Sequence, residues 1–587
     1  MASLTAVRQR KQGGEFLIAP AAPEEIFTPE DFTDEHKAVA KTTEDFYWNE
    51  VAPHAEAMLK QPVAAVPILR KAAELGLTGV AVPERYGGME MDLISAMIVA
   101  EHLSKNGSYG VWHSAHSGIG TMPLLLFGNE EQKQKYLPRL VSGEMVAAYA
   151  LTEPHAGSDV QAIKTRAELD AGGRKYLLNG QKMWISNAAG AGLFTVFAKV
   201  DGEKFTAFLV ERSSEGLAIG AEEKKMGIKG SSTCAVYFDN VGVPVENVLG
   251  EVGGGLRIAF NCLNLGRLKL GAGVLGAAKH ALAITLKYAK ERHAFGKPIA
   301  EFGLMRQKLA EMAIRIFAAE TMTYRVAGAI DDWLRDVSWD QPEAPTLHLK
   351  AFEEFAAECA MVKVFTTETL DYVVDEGVQI HGGYGFHQDY EIECAYRDSR
   401  INRIFEGTNE INRMLVTGML LKRAQRGRLA LPEAVKALEA ALLNPPPAAA
   451  TGDPLALAAD AKQAALLALG VAFRRFHAEL DKQQEVLAGI ADIAAEALAI
   501  ESLALRVGRL ENASHAGEMC RVFAQDAIAR VEAAGRAVLA ACSEGDALRV
   551  NLAILKRLTR CEPVDGFAAR RRIAGRLLDA ERYLVSS

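Results

Sequence analysis

The chain has 587 residues, with 66 basic and 74 acidic side chains and a net charge of −8. At roughly 150 residues per domain, that length predicts about four domains, or one large core with an appendage. An apolar share of 49% excludes wholesale disorder, and the acidic balance argues against a chain built to coat nucleic acid. No window holds 18 uncharged apolar residues, so no membrane-spanning helix is expected. The seven cysteines are scattered and form no CxxC pair, which excludes a disulfide framework or thiolate metal centre and points to a reducing, cytoplasmic setting. Arg8, Arg10 and Lys11 precede the first acid, a faint likeness to a transit peptide. Glu15 follows soon after, and residues 1–27 read as a short arm.

Residues 28–145 carry a helical period. Thr33 is placed to cap a helix over 34–46, "PILRKAAELGLTG" predicts a helix stopped at Gly76 and Gly79, and another is predicted over 92–106. In "EEQKQKYLPRLVSG" Pro138 is expected to interrupt the helix. From 146 to 250 the strings "RKYLLNGQKMWISN", "LFTVFAKVDGEKFTAFLVER" and "STCAVYFDNVGVP" are rich in β-branched and aromatic residues, and Asp201-Gly202 marks a hairpin. Helical spacing returns over 251–443, beginning with one long helix expected to end at Gly296. The segment 444–454, "NPPPAAATGDP", reads as a linker. Residues 455–587 are Ala- and Leu-rich and read as a further helical domain. Helix, sheet, helix is the order of the core, and an alternating β–α series is excluded.

No P-loop, HExxH, GxSxG or metal-ligand cluster is present, and "GYGF" at 383–386 lacks the strand–turn–helix context of a dinucleotide fingerprint. Two strings remain with dense polar chemistry in apolar surroundings: "YALTEPHAGSDV" at 149–160 and "VQIHGGYGFHQDYEIECAYRDSRINRIFEGTNEINR" at 378–413. In the second, Glu406 follows two apolar residues and precedes Gly407, a setting that suits a sheltered carboxylate base whose backbone turns close to a ligand. The same acid could serve only to favour the dipole of the helix that follows.

These strings resemble the two signatures of the acyl-CoA dehydrogenases, flavoproteins that introduce a Cα–Cβ double bond into acyl-CoA thioesters. The likeness spans roughly 27–426 and departs from the usual pattern at Cys394. The extra tail and the "FLIAPAAPEEIFTPEDFT" entry resemble the very-long-chain branch and its bacterial homologues. The resemblance implies a mostly α fold with a central β domain: an N-terminal helical domain, a β-barrel-like middle domain, a four-helix-bundle domain and a C-terminal helical appendage.

It also implies FAD as cofactor and Glu406 as the base that takes the α proton, with its backbone N–H polarising the thioester carbonyl. The alternative base position of other branches corresponds to Gly266, which has no side chain. For FAD the resemblance points to Tyr149, Leu151, Thr152 and Ser158, and to Trp184, Ile185 and Ser186 against the isoalloxazine. Arg292, Phe295, Gln379, Gly382 and Gly383 would come from a neighbouring subunit of a homodimer, and Thr408 and Glu410 would follow the base. For the acyl-CoA it points to Ser158, Asn264, Arg267 and Gly407. His155, His381 and His387 have no metal spacing and are expected to be packing or surface residues. Small residues over 106–123, "NGSYGVWHSAHSGIGTMP", leave room for a long acyl chain. The expected reaction is long-chain acyl-CoA oxidation to trans-2-enoyl-CoA in β-oxidation, with electron-transfer flavoprotein as acceptor. The competing expectations are an oxygen-using acyl-CoA oxidase and a non-catalytic scaffold on the same fold. For the tail, a bundle helix covering the core is favoured over a helix giving peripheral contact with the inner membrane.

Overall fold

The computed structural model describes residues 10–443 and 452–586; residues 444–451 of the expected linker and Arg8 of the arm lie outside the described residues. The N-terminal part is helical, with α1 (Asp34–Phe46), α2 (Ala65–Glu74), α3 (Leu93–Leu103), α4 (Gly107–Ser114) and α5 (Glu130–Val141). Their starts follow capping chemistry. Thr33 Oγ1 accepts from the His36 N–H at 3.2 Å, Asp92 from Ser95 at 2.8 Å and Asn129 from Gln132 at 2.8 Å. Pro138 corrects one expectation: α5 runs through it without interruption. Tyr136, Leu137 and Leu140 are fully buried around the proline, and their packing outweighs the one ladder bond it cannot donate.

The middle part is a single sheet of β1 (Ala147–Ala150), β2 (Arg166–Leu169), β3 (Lys175–Ser186), β4 (Leu193–Val200), β5 (Lys204–Glu211), β6 (Leu217–Glu222), β7 (Thr233–Pro244) and β8 (Val248–Leu249). The strand order is β6-β7-β3-β2-β4-β5-β8, with β1 parallel to β4. The hairpin between β4 and β5 turns at Asp201 and Gly202, whose φ values of 54° and 76° are the left-handed pair such a turn requires. Phe194, Val196, Phe208 and Val236 fill a core of its own inside the sheet.

The second helical part holds α6 (Gly255–Glu291), α7 (Gly303–Leu334), α8 (Ala356–His381), α9 (Glu391–Ser399) and α10 (Asn409–Gln425). Helices α6, α7, α8 and α10 form a bundle. The long helix stops at Glu291, short of the expected Gly296, because residues 293–298 form a two-stranded hairpin. The tail contributes α11 (Pro454–Phe476), α12 (Gln484–Val507), α13 (Ser514–Cys542) and α14 (Gly566–Ala580). By length and composition α11 could cross a membrane, yet 72% of its apolar window is buried inside the protein, which makes it the core helix of the tail bundle. Helix α12 lies against α7 and α10. It is tied there by Arg506, which pairs with Glu320 at 2.6 Å and with Glu30, just before α1, at 2.7 Å. Mostly α with a central sheet, the fold is the one expected.

Candidate active site

Glu406 lies in the loop between α9 and α10 with φ of 57°, followed by Gly407 at 81°. A glutamate held in the left-handed region costs on the order of 1 kcal/mol or more, so its surroundings must impose the conformation. They do so through its carbonyls. The Glu406 carbonyl accepts from Arg267 Nε at 3.2 Å, and the Gly407 carbonyl accepts from Lys363 Nζ and Asn412 Nδ2, both at 2.8 Å. Lys363 also donates to Asn409 Oδ1 at 2.7 Å, and Thr408 Oγ1 caps α10 by accepting from the Ile411 N–H at 3.2 Å. With the carbonyls engaged, nothing among the described residues accepts from the Glu406 N–H.

The Glu406 side chain turns over α6. Its Oε2 is shut off from solvent and has no hydrogen-bond partner. Burial pushes the carboxyl up to about 7, against the opposing pull of the Arg267 and Lys363 cations. The place is available because residue 266 is glycine: a Cβ there would stand 2.6 Å from Oε2 and 3.0 Å from Cδ. The carboxyl heads a largely apolar cavity of about 130 Å³. One wall is the face of α6 formed by Gly266, Leu270, Gly273, Val274, Ala277 and His280. The opposite wall comes from the small residues of 107–118, with Ser186 of β3 beside them.

The remaining expected residues divide into two groups. Tyr149, Leu151, Thr152, Trp184, Ile185 and Ser186 belong to β1, the segment after it and β3, with Met183 N donating to Thr152 O at 2.9 Å. Leu151 and Ile185 are buried and Ser158 is exposed. The Tyr149 hydroxyl is buried without a partner, and burial drives its phenol well above the ordinary value. Trp184 is 59% exposed with φ of 57°, in a bulge where β3 slips register against β7 between Lys182 and Ile185. Arg292, Phe295, Gln379, Gly382 and Gly383 line no part of the cavity. They lie exposed around the C-terminal ends of α6 and α8, Gln379 in the last turn of α8 and the others beyond the helix ends, with Phe295 95% exposed and Arg292 over the Tyr384 ring at 5.5 Å. One copy of the chain does not bring this group to Glu406. Glu410 is exposed in the first turn of α10.

Two placements differ from the family-based expectation. Arg267 and Asn264, expected at the acyl-CoA, are buried, with Arg267 Nη1 on Asn264 Oδ1 at 2.9 Å and its Nε on the Glu406 carbonyl; both side chains support the Glu406 loop. The Gly407 carbonyl is likewise spent on Lys363 and Asn412. His381 stacks on Tyr288 at 4.0 Å and its Nδ1 meets the Gly377 carbonyl, a packing role, while His155 and His387 are exposed.

Sequence reasoning passed over three supports. Lys363 lies mid-helix in α8 with no local signal. Asn412 reads as an ordinary helix residue. Glu153 and Lys182 form a buried pair at 2.7 Å, and Lys182 also donates to the Leu151 carbonyl at 3.0 Å, which fixes the first signature segment onto β3. Both members occur in strings already singled out, so an acid and a lysine in two apolar segments were the available signal.

Comparison with known proteins identifies the family. Residues 33–144, 148–241 and 253–421 match the N-terminal, middle and C-terminal domain families of acyl-CoA dehydrogenase, and residues 460–557 match a second family described as its C-terminal domain. A probable acyl-CoA dehydrogenase of Bacillus subtilis is 45% identical over 98% of this chain and 99% of its own. The chain belongs to the acyl-CoA dehydrogenase family. A crystal structure of an acyl-CoA dehydrogenase complexed with FAD from Bacillus anthracis superposes with a TM-score of 0.96 at 46% identity, covering 98% of this chain and all of that one. The very long-chain specific enzyme of rat mitochondria is 42% identical over 58% of this chain, which spans 51% of that relative. The family consists of FAD-dependent oxidoreductases. The residues present fit that cofactor: an outward-turned Trp184 offers a flat apolar face, and the buried, unpartnered Tyr149 hydroxyl and Glu406 Oε2 await a polar or reactive neighbour.

Proposed function

We propose that this acyl-CoA dehydrogenase oxidises long-chain fatty acyl-CoA to the trans-2-enoyl thioester in β-oxidation, with Glu406 as the base that removes the α proton. The observation that carries this reading is the unpartnered Glu406 Oε2 at the head of an apolar cavity. A carboxyl whose affinity for protons is raised to about 7 by burial is ionised at neutral pH in a large fraction of molecules and is a far stronger base than an exposed one. The open Glu406 N–H is aimed by the same loop, and it supports the role of donor to the thioester carbonyl as negative charge develops there. Bound FAD supplies the acceptor for the β hydride, a chemistry no side chain offers. Tyr149, Thr152, Ser158, Trp184 and Ser186 would hold it.

Chain length is argued from α6. The face from Gly266 to His280 extends about 21 Å at 1.5 Å per residue. At about 1.25 Å per methylene, from C–C bonds of ~1.5 Å, it accommodates an acyl chain of roughly 16 carbons. Ser158 is the exposed residue retained for the CoA arm. Phe295 and Phe386, both almost fully exposed beside Arg292 and Gly382, support a homodimer in which this group completes the partner's cofactor site. Electrons would pass to electron-transfer flavoprotein, and the cytoplasm is the expected compartment. The test is a visible spectrum titrated with palmitoyl-CoA: flavin bleaching in the parent and none in Glu406→Gln supports the assignment, and equal bleaching in both overturns it. Peroxide formed without added acceptor would replace the dehydrogenase by an oxidase.

A further inference from the structure

Behind the acyl cavity lies a second space of about 390 Å³, walled by Leu77, Val82, Met97, Met122, Leu334 and Phe352. That volume falls within the ~300–1,000 Å³ of small-molecule sites. Only Gly118 and Lys269 border both spaces. Lys269 Nζ donates to Ser117 Oγ at 2.7 Å, and the Ser117 hydroxyl donates in turn to the His113 carbonyl at 2.9 Å. Ser117 borders the second space and not the first, so the lysine stem walls the acyl cavity while its ammonium faces the space behind.

An ammonium has three donors, and Ser117 takes one. Among the described residues no carboxylate stands within ion-pair distance of Nζ, and burial alone lowers Lys269 to about 8. Most other polar groups around the space are already engaged, while His348 stacks on Trp339 at 4.2 Å and burial lowers its imidazole to about 4, which keeps it neutral. The His113 ring meets the Leu77 carbonyl at 2.8 Å, Asp92 pairs with His36 at 2.8 Å, Asp331 accepts from the Leu93 N–H at 3.1 Å, and Arg335 pairs with Asp332. What is left is one buried cation with spare donors in a space whose walls are largely hydrocarbon and also carry the Glu90, Asp92 and Asp331 carboxyl groups. A monoanion with an apolar body complements it; a phosphate dianion would leave charge uncompensated, and a neutral chain would leave the donors unused.

We propose that this second space binds a medium-chain carboxylate, its head group on the Lys269 ammonium and its chain along Leu77, Met97, Met122 and Phe352. The site is independent of the reaction assigned to Glu406.

The test is calorimetric titration of the holoenzyme with decanoate and, as a neutral probe of the same length, decan-1-ol. Decanoate is expected to bind the parent protein at least about tenfold more tightly than the alcohol. Lys269→Met should abolish that preference. Ala96→Phe, which fills the second space from α3 without touching Lys269 or the acyl cavity, should abolish decanoate binding while flavin bleaching by palmitoyl-CoA persists. Equal affinity for decanoate and decanol in the parent, or no heat from either, overturns the proposal without recourse to any variant. So does decanoate binding that survives Ala96→Phe and is lost when palmitoyl-CoA saturates the acyl cavity.

Discussion

Replacing Gly266 by alanine adds one methyl group directly beneath the carboxyl of Glu406. The new Cβ would stand 2.6 Å from Oε2, where ordinary contact begins at 3.4 Å, so the carboxyl must retreat by about 0.8 Å. It is the far end of a flexible side chain and can do so without disturbing the helix. Alanine is a better helix former than glycine by ~0.8–1 kcal/mol, so the variant should fold at least as well as the parent. Proton abstraction is far less tolerant: a displacement of ~1 Å at a reacting group costs on the order of 10²-fold in rate. We therefore expect Gly266→Ala to keep its melting temperature and flavin spectrum while kcat for palmitoyl-CoA falls roughly 30- to 100-fold. The double variant with Glu406→Asp is diagnostic, because a carboxylate shorter by one C–C bond, ~1.5 Å, vacates the contested space. Alanine at 266 should then cost little beyond the loss caused by aspartate alone. The assays are steady-state turnover with an artificial acceptor and thermal unfolding of the same preparations. Unchanged turnover in Gly266→Ala, or full additivity in the double variant, would refute the claim that Glu406 works from the surface of this glycine.

The pH dependence follows from the same carboxyl. Its ionised form accumulates as pH rises through about 7, so kcat/KM should climb through that region and level off above it, and a flat profile from pH 6 to 8 would contradict the burial argument. Because the folded state holds this proton more tightly than the unfolded chain, the group's contribution to stability is full below about 4.5 and lost as pH rises through about 7. Glu406→Gln should accordingly melt higher than the parent at pH 8 and close to it at pH 4.5. Lys363→Met removes a cation that lowers the Glu406 carboxyl and anchors Gly407; the rising limb should move to higher pH, and kcat should drop about tenfold or more from loss of positioning. Ala277→Phe plugs the acyl cavity about 16 Å along α6 from Gly266. Octanoyl-CoA turnover should survive it and palmitoyl-CoA turnover should collapse, as read from graded acyl-CoA kinetics. Lys182→Ala strands the buried Glu153 carboxylate and should cost about 3 kcal/mol in denaturant unfolding.

Much of this protein is written in local sequence. The change from helical to alternating spacing near residue 146 and back near 251 separates sheet from bundles, because helix and strand bury different periodicities of the same chain. The candidate for the base, Glu406, was legible too, in an acid flanked by apolar residues and glycine within a long signature, together with a glycine where other branches place the base. What tertiary structure alone decided concerns residues that act across the fold. Lys182 and Trp184 share parity in a strand and should face the same way; one is buried and the other 59% exposed because a bulge between them, set by the pairing with β7, reverses the alternation. Arg267 reads as a ligand-facing cation, yet it reaches Glu406 across 139 residues and spends its charge beneath the base. Lys363 carries no sequence signal because its partners, Gly407 and Asn409, lie on another helix start. Pro138 stays within α5 because side-chain burial outweighs one missing hydrogen bond. Spacing along a chain encodes which face a side chain presents to its own element; which charge, carbonyl or void it meets there is settled only when distant elements pack.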